Sequence, residues 1–328
     1  MILIHSNCDD VSTNDVIDWL NYFNQKFIRI NDNSIFFIET IELDNLSKEK
    51  IILKISTPYS TDKTREVDLS VIKSYWYRRG GFYTPPETIK DRNITELIKE
   101  FNYYIHRESG AIKVFLYSYL NDIKHIGNYN HNGTNKLYNL FLAKKVGLKI
   151  PETLVAKKKK PIFNFFKTNK KVITKSISEG GVTFNNKVIL SGLTAEVTRN
   201  DLYKRSFFHS LFQKKLDKAY ELRIFYLNEK TYTTAIFSQL DKKTLIDFRN
   251  YNYLKPNRTP RFNLPKEIEE KIIRLMKTLK MKSGSIDMVV TKSKEFVFLE
   301  VNPIGQFHQV SLPGNFFIEK IIAKHLSI

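Results

Sequence analysis

The chain has 328 residues, is 42% hydrophobic and carries a formal charge of +19. That length exceeds what one core usually serves, so two or three subdomains are expected. No run of some 18 uncharged apolar residues occurs and the N-terminal Met1-Ile2-Leu3-Ile4-His5 lacks a basic flank, which argues against a membrane span or signal peptide and for a cytoplasmic location. The single cysteine, Cys8, excludes an internal disulfide.

The first zone, residues 1 to about 119, alternates strands and helices. An apolar strand precedes an amphipathic helix over 14–27, with Val16, Ile17, Leu20 and Phe23 at helical spacing. Strands are predicted over 34–38 and 51–55, and a helix from Thr95 onward, which makes a small α/β domain. Inside it Trp76-Tyr77-Arg78-Arg79 interleaves aromatics with paired arginines, a combination that grips carboxylate or phosphate while stacking; a plain folded strand would read the same.

The middle zone is rich in lysine. Between Lys136 and Lys175 there are twelve lysines, no arginine and one acid, Glu152, and such a patch attracts nucleic acid, nucleotide phosphates or an acidic peptide. A helix is predicted from Lys136 to Val146, with Gly147 as its C-cap. A strand over 171–175 then leads into Ser176-Ile177-Ser178-Glu179-Gly180-Gly181, where the Lys175 ammonium and the loop amides could meet phosphates. The spacing of a P-loop is absent.

In the last zone, Leu211 to Lys218 precedes a strand over 220–226, paired through an Asn228-Glu229-Lys230 turn with 231–239. Glu221 and Arg223 share one strand face, opposite Leu222 and Ile224. Asp247-Phe248-Arg249 adds another acid and base. Pro265 opens a helix with Ile268, Ile272, Met276 and Leu279 inward, ended by Gly284.

Two β-rich runs follow, 284–290 and 296–303, separated by a polar stretch. An even-numbered loop centred on Ser293 and Lys294 places residues whose numbers sum to 587 opposite each other, so Asp287 faces Glu300. Directly opposed like charges repel unless a cation intervenes. Asn302 falls on the same side, and two carboxylates with an amide oxygen suit Mg²⁺, which keeps other positions for water and phosphates. Acids on an open sheet face would look alike; the apolar flanks and the Pro303-Ile304-Gly305 exit favour a site.

Lys175 on a strand, 213–217 at a crossing, Glu221-x-Arg223, Asp287 and Glu300-x-Asn302, in this order, resemble the ATP-grasp superfamily. Trp76-Tyr77-Arg78-Arg79, Glu221-Leu222-Arg223-Ile224, Asp247-Phe248-Arg249 and Glu300-Val301-Asn302-Pro303-Ile304-Gly305-Gln306-Phe307 resemble its graspetide branch, whose ligases close ω-ester or ω-amide crosslinks in ribosomal peptides, most of all the grasp-with-spasm type. The resemblance covers nearly the whole chain. It implies an α/β ATP-grasp fold: an N-terminal α/β domain (1–119), a central lysine-rich subdomain (120–212) and a C-terminal subdomain with the metal hairpin (213–328).

The resemblance also implies roles. Lys175, helped by Lys136, would hold nucleotide phosphate; Gln213, Lys214 and Leu216 would form the adenine hinge, with Asp217 near the ribose. Asp287, Glu300 and Asn302 would bind two Mg²⁺. Arg223 or Arg249, with Asp247, would serve phosphoryl transfer, and Arg78, Arg79 and Glu221 would meet the peptide. Many relatives carry an arginine two residues before the first metal aspartate, where this chain has Ser285. The implied activity is ATP-dependent activation of Asp or Glu side chains of an acidic precursor peptide with a leader segment, and ring closure by Thr, Ser or Lys. A homodimer is implied, with no nucleic-acid or membrane partner. An ATP-grasp ligase adding free amino acids to a protein or small molecule shares every nucleotide and metal residue, and a non-enzymatic nucleic-acid-binding protein is the remoter alternative.

Overall fold

The computed structural model describes residues 1–327 except 46–48, 57–63, 85–96, 132, 134, 179–181, 185–187, 191–193, 199, 204–207, 240–253 and 255; for 182–184, 188–190, 202 and 203 it describes the backbone alone. The chain divides into two units, 1–130 with 317–328, and 131–316.

In the first unit, β1 (Ile2–Ser6) is followed by α1 (Val11–Tyr22) and β2 (Phe27–Asn31). Helix α1 is shifted towards the N-terminus relative to the predicted 14–27. The Asp10 carboxylate accepts from the Ser12 amide as an N-cap, and Asn24, in a left-handed conformation (φ 54°), turns the chain into β2. The antiparallel strands β3 (Ile35–Glu42), β4 (Lys50–Ser56) and β5 (Thr64–Asp68) form a separate three-stranded sheet. Next come β6 (Ser74–Tyr77), α2 (Ile98–Asp122) and β7 (Lys124–Ile126). Strands β2, β1, β6 and β7 lie in that order in one parallel sheet. Every residue of β1 and β6 is buried, as expected for a parallel sheet covered on both faces. The aromatic run Tyr75-Trp76-Tyr77 is thus a central strand and part of the core.

In the second unit, α3 (Lys136–Lys145), β8 (Thr153–Ala156), α4 (Lys159–Thr168) and β9 (Val172–Lys175) precede a small hairpin, β10 (Val182–Phe184) and β11 (Val188–Leu190), then β12 (Ala195–Val197) and β13 (Ser210–Lys214). Strands β12, β9, β13 and β8 make one antiparallel sheet. Gly147 follows α3 with φ 85°, the left-handed cap expected of it.

Strands β14 (Lys218–Leu227) and β15 (Lys230–Ile236) join through Asn228 and Glu229, both at positive φ as a tight hairpin turn requires. Helix α5 (Lys266–Thr278), β16 (Ser283–Thr291), β17 (Phe296–Asn302) and α6 (His308–Gly314) complete the unit. Helix α5 ends before Lys280, which takes the left-handed conformation, and not at Gly284. Gly284 lies inside β16, where an added Cβ would come within 3.0 Å of Met276 Cε and 3.2 Å of Asn302 O; close packing, not capping, requires the glycine.

The sheet β15-β14-β16-β17 has two unlike faces. Leu222, Ile224, Ile286, Met288, Phe298 and Val301 pack on Leu140 and Ala143 of α3 and Ile272, Leu275 and Met276 of α5. Burying side chains of this size stabilises by roughly 1.5–3 kcal/mol each. Residues of the opposite parity are left to form the site. The last helix, α7 (Ile318–Leu326), belongs to the first unit, where it packs on α1.

Candidate functional site

On its second face this sheet brings four residues into one row, because Thr234, Arg223, Asp287 and Glu300 lie directly opposite one another across β15, β14, β16 and β17. The register from Asp287 to Glu300 is as predicted, but it arises differently. Near the turn Val290 pairs with Phe296 and Met288 with Phe298, numbers summing to 586, and a bulge at Leu299 restores the sum of 587 from Asp287 onward.

The two opposed carboxylates are held by cations of the chain itself. Arg223 Nη1 donates to Asp287 Oδ1 at 2.6 Å and to Oδ2 at 2.7 Å. Lys136 Nζ stands 3.8 Å and Lys175 Nζ 3.9 Å from Glu300 Oε2. A lysine at the first residue of a helix opposes the helix dipole, and Glu300 offsets that cost for Lys136. Among the described residues three cations, Arg223, Lys136 and Lys175, face the two carboxylates, an arrangement that suits an anionic ligand. Two buried donors are also unspent: Arg223 Nε and Thr234 Oγ1 have no hydrogen-bond partner among the described residues.

Beside the row lies a cavity of about 280 Å³. Ile173, Val289 and Leu299 give it an apolar wall, and Lys175, Gln213, Leu216, Asp217 and Glu221 line it with polar and backbone groups. The mixture suits a flat heteroaromatic base with a charged tail. In the segment 213–217 the Gln213 side chain donates to Thr153 Oγ1 (2.9 Å), and the amides of Lys214 and Lys215 donate to the carbonyls of Glu152 and Lys171. Those two amides are therefore spent within the fold, and reading of a base at this hinge falls to the remaining backbone groups. The Lys214 side chain pairs with Glu152 (2.8 Å), and Asp217, well exposed, pairs with Lys292 (3.1 Å).

Glu221, 5% exposed, accepts from Lys218 Nζ and from Ser238 Oγ (2.5 Å). Burial raises its carboxyl above the usual range, against the pull of Lys218 and Ser238. Lys218, Ser238 and the bulge at Leu299 carry no sequence signal of their own; they join the site only because strand pairing brings them there.

Asn302 lies opposite Ser285 and next in parity to Glu300. Asp287, Glu300 and Asn302 thus offer three hard oxygen donors on one face. Among the described residues no three His, Cys, Asp or Glu side chains cluster into a self-sufficient metal cage. The donor set fits Mg²⁺, which binds through one or two carboxylates and completes its shell with water and phosphates. Ser285, where the resemblance would place an arginine, is fully buried, its hydroxyl directed at Gln306 O (3.3 Å). Gly305 packs so closely on Ser285 that an added Cβ would lie 3.0 Å from its amide nitrogen. The guanidinium beside Asp287 is instead that of Arg223.

In the first unit, Arg78 is 3% exposed and bonded through Nε to Asp10 Oδ2 (3.1 Å) and through Nη2 to Ser12 Oγ (3.1 Å). Burial draws its pKa down to about 10, a shift that Asp10 opposes. Its guanidinium ties the end of β6 to the start of α1. Arg79, one-third exposed, has its Nε 3.8 Å from the same Asp10 oxygen. Asp247, Arg249, Glu179, Gly180 and Gly181 lie outside the described residues.

No protein-family model and no curated protein matches the sequence. Solved structures do. The macrocyclase MdnC from Microcystis aeruginosa MRC, bound with its precursor peptide MdnA, superposes with a TM-score of 0.72 at 23% identity, over 99% of both chains. A RiPP-associated ATP-grasp ligase from Chryseobacterium gregarium, in complex with ADP and a leader and core peptide, gives 0.77 at 23% identity, over 99% of this chain and 94% of the other. The ATP-grasp ligase PsnB, complexed with a minimal precursor, Mg and ADP, gives 0.68 at 13% identity, over 99% and 96%. The row of opposed charges, the cavity beside it and these superpositions over nearly the entire chain agree: this protein has the ATP-grasp fold.

Proposed function

We propose that the protein is an ATP-dependent carboxylate ligase that activates Asp or Glu side chains of a precursor peptide and closes macrocyclic esters or amides with Thr, Ser or Lys of the same peptide. One observation carries the reading: the Thr234-Arg223-Asp287-Glu300 row, with Lys136 and Lys175 at its end, borders a base-sized cavity in an ATP-grasp fold. The solved neighbours that hold ADP and precursor peptides support the same reading.

A carboxylate is a poor electrophile, since direct attack by a hydroxyl or amine would have to expel oxide. When bound, ATP with Mg²⁺ would supply the phosphoryl group that converts the carboxylate to an acyl phosphate with release of ADP; the hydroxyl or amine then bonds to the carbonyl carbon, phosphate departs as that C–O bond breaks, and the proton of the nucleophile is lost. The protein's own part is positioning and charge. Lys175 and Lys136 would hold phosphate oxygens, Asp287, Glu300 and Asn302 would hold the metal, and Arg223, beside Asp287, would offset the charge of the transferred group. Gln213 to Asp217 seat the base and ribose. Glu221, its charge offset by Lys218, meets the peptide without repelling its acids. Arg79, the more exposed of its pair, reaches the peptide, while Arg78 holds it in place through Asp10; Asp247 and Arg249 complete the transfer site.

The partner in this proposal is an acidic peptide with a leader, not nucleic acid or a membrane, and the enzyme acts in the cytoplasm as a homodimer. Among the described residues no helix is long and apolar enough to cross a membrane. Exposed Phe101, Tyr103 and Tyr104 on α2 support self-association. With ATP, Mg²⁺ and an acidic precursor encoded beside its gene, the peptide should lose one water per crosslink. Unchanged mass in every such precursor sinks the proposal, and a gain in mass from added glutamate would turn it into a ligase for free amino acids.

A further inference from the structure

The residues assigned above leave one strongly charged surface unused. Lys157, Lys158, Lys160, Lys167, Lys170 and Lys171, on α4 and its flanks, are all exposed, and the sequence has no acid between Glu152 and Glu179. Among the described residues none of these six lies in an ion pair, whereas lysines elsewhere in the unit do, such as Lys149 with Glu295, Lys215 with Glu196 and Lys277 with Glu229. Clustered like charges repel and cost stability, so an unpaired cluster is the electrostatic footprint of an anionic partner.

The chemistry of the helix narrows the partner. Its apolar side is closed: Ile162 is buried, and Phe165 and Phe166 pack around Ala156, Val172 and Phe212. Phe163, 37% exposed, is the one large apolar side chain on α4 left outside. An interfacial helix needs a whole apolar face for lipid, and single-stranded nucleic acid needs several aromatic platforms. A polypeptide carrying carboxylates needs neither. The surface is also continuous with the site: Lys171 lines the cavity, and its carbonyl accepts the Lys215 amide at the hinge. Strand β9 then covers four residues, about 13 Å, to Lys175.

We infer that α4 and its flanking lysines form a docking surface for an acidic segment of the peptide substrate, at the hinge end of the cavity and apart from the carboxylate that reacts. This rests on the ligase reading. The surface raises the local concentration of substrate and leaves the transfer step to the row at Asp287.

The test is the binding of a fluorescein-labelled peptide of alternating Glu and Gly, followed by anisotropy at low and physiological salt, to the full chain and to K157Q/K158Q/K160Q/K167Q/K170Q. These five side chains are exposed and their removal relieves repulsion, so the variant folds; Lys171 is kept because it lines the cavity. The acidic peptide should bind in a salt-sensitive way, its Gln counterpart should not, and the variant should bind at least about tenfold more weakly (about 1.4 kcal/mol) with its affinity for ADP and Mg²⁺ unchanged. Equal binding by the variant, equal binding of the Gln peptide, or tighter binding of an oligo-dT strand or of phosphatidylserine vesicles overturns the inference. Failure of the full chain to bind ADP refutes the ligase reading separately, because the peptide measurement needs no nucleotide.

Discussion

The pair of Arg223 and Asp287 gives the sharpest test of the site. Arg223 is 7% and Asp287 8% exposed, and Asp287 also faces Glu300 directly across the hairpin. Arg223→Met therefore does more than delete two hydrogen bonds: it leaves a buried carboxylate beside another one about 5 Å away at Cβ. Removing one partner of a buried ion pair costs about 3–5 kcal/mol, and here the opposed Glu300 places the expectation at about 4. For a unit of this size, about 1 kcal/mol corresponds to roughly 2–4 °C in Tm, so the melting temperature should fall by roughly 8–16 °C. Asp287→Leu alone should also destabilise, by leaving Arg223 buried and unpaired. Combining both changes should recover much of the loss, a coupling of about 2 kcal/mol or more in the double-mutant cycle. Urea titration of the four proteins without nucleotide measures this, and Mg²⁺ with ADP should stabilise Arg223→Met by supplying the missing cation. Additive single effects, or a loss below about 1 kcal/mol in Arg223→Met, would refute the reasoning that the row is held by mutual compensation.

Two other outcomes follow from buried positions. His5 sits among the rings of Phe36, Tyr77, Phe82 and Tyr117, and burial pulls its pKa down to about 4. The unfolded chain takes up the proton near pH 6.5, so stability present above that value is lost as pH falls towards 4, by up to about 3 kcal/mol; His5→Leu should flatten denaturation midpoints across this window, and an unchanged slope would count against the assignment. Ser285→Arg, which places an arginine where the resemblance would put one, should destabilise by about 3 kcal/mol or more, because Ser285 is fully buried under Gly305 and Gln306; a stable variant with faster ATP turnover would show that the position accommodates an arginine.

How far the sequence could be read depended on the range of the interactions involved. The strand pair β14-β15 was legible because alternation and an Asn-Glu turn are local, and so was the inward face of α5. Helix α1 starts three residues before Asn14 because the Asp10 carboxylate caps it, a local contact that hydrophobic spacing does not register. Trp76-Tyr77-Arg78-Arg79 reads equally as an anion grip or as a folded strand, and three of the four are buried, since a parallel strand covered on both faces leaves aromatic residues nowhere else to go. Gly284 read as a helix stop because glycine signals a turn and a tight approach equally well, and the backbone of β17 decides between them.

By itself the sequence determined that two acids would share a face of a hairpin, that Arg223 and Glu221 would lie on one side of a strand, and that the middle of the chain would be a carboxylate-poor basic zone. These follow from a two-residue period and from composition, which need no knowledge of distant contacts. Tertiary structure decided what neutralises the acids: Arg223 stands 64 positions from Asp287, and Lys136 164 from Glu300. It also decided that a bulge at Leu299, and not the turn alone, sets the register of the site, and that among the described residues Lys157, Lys158, Lys160, Lys167, Lys170 and Lys171 lie in no ion pair while Lys149, Lys215 and Lys277 do. Such pairings depend on which strands lie side by side and which helix starts at their edge, and no local pattern encodes that.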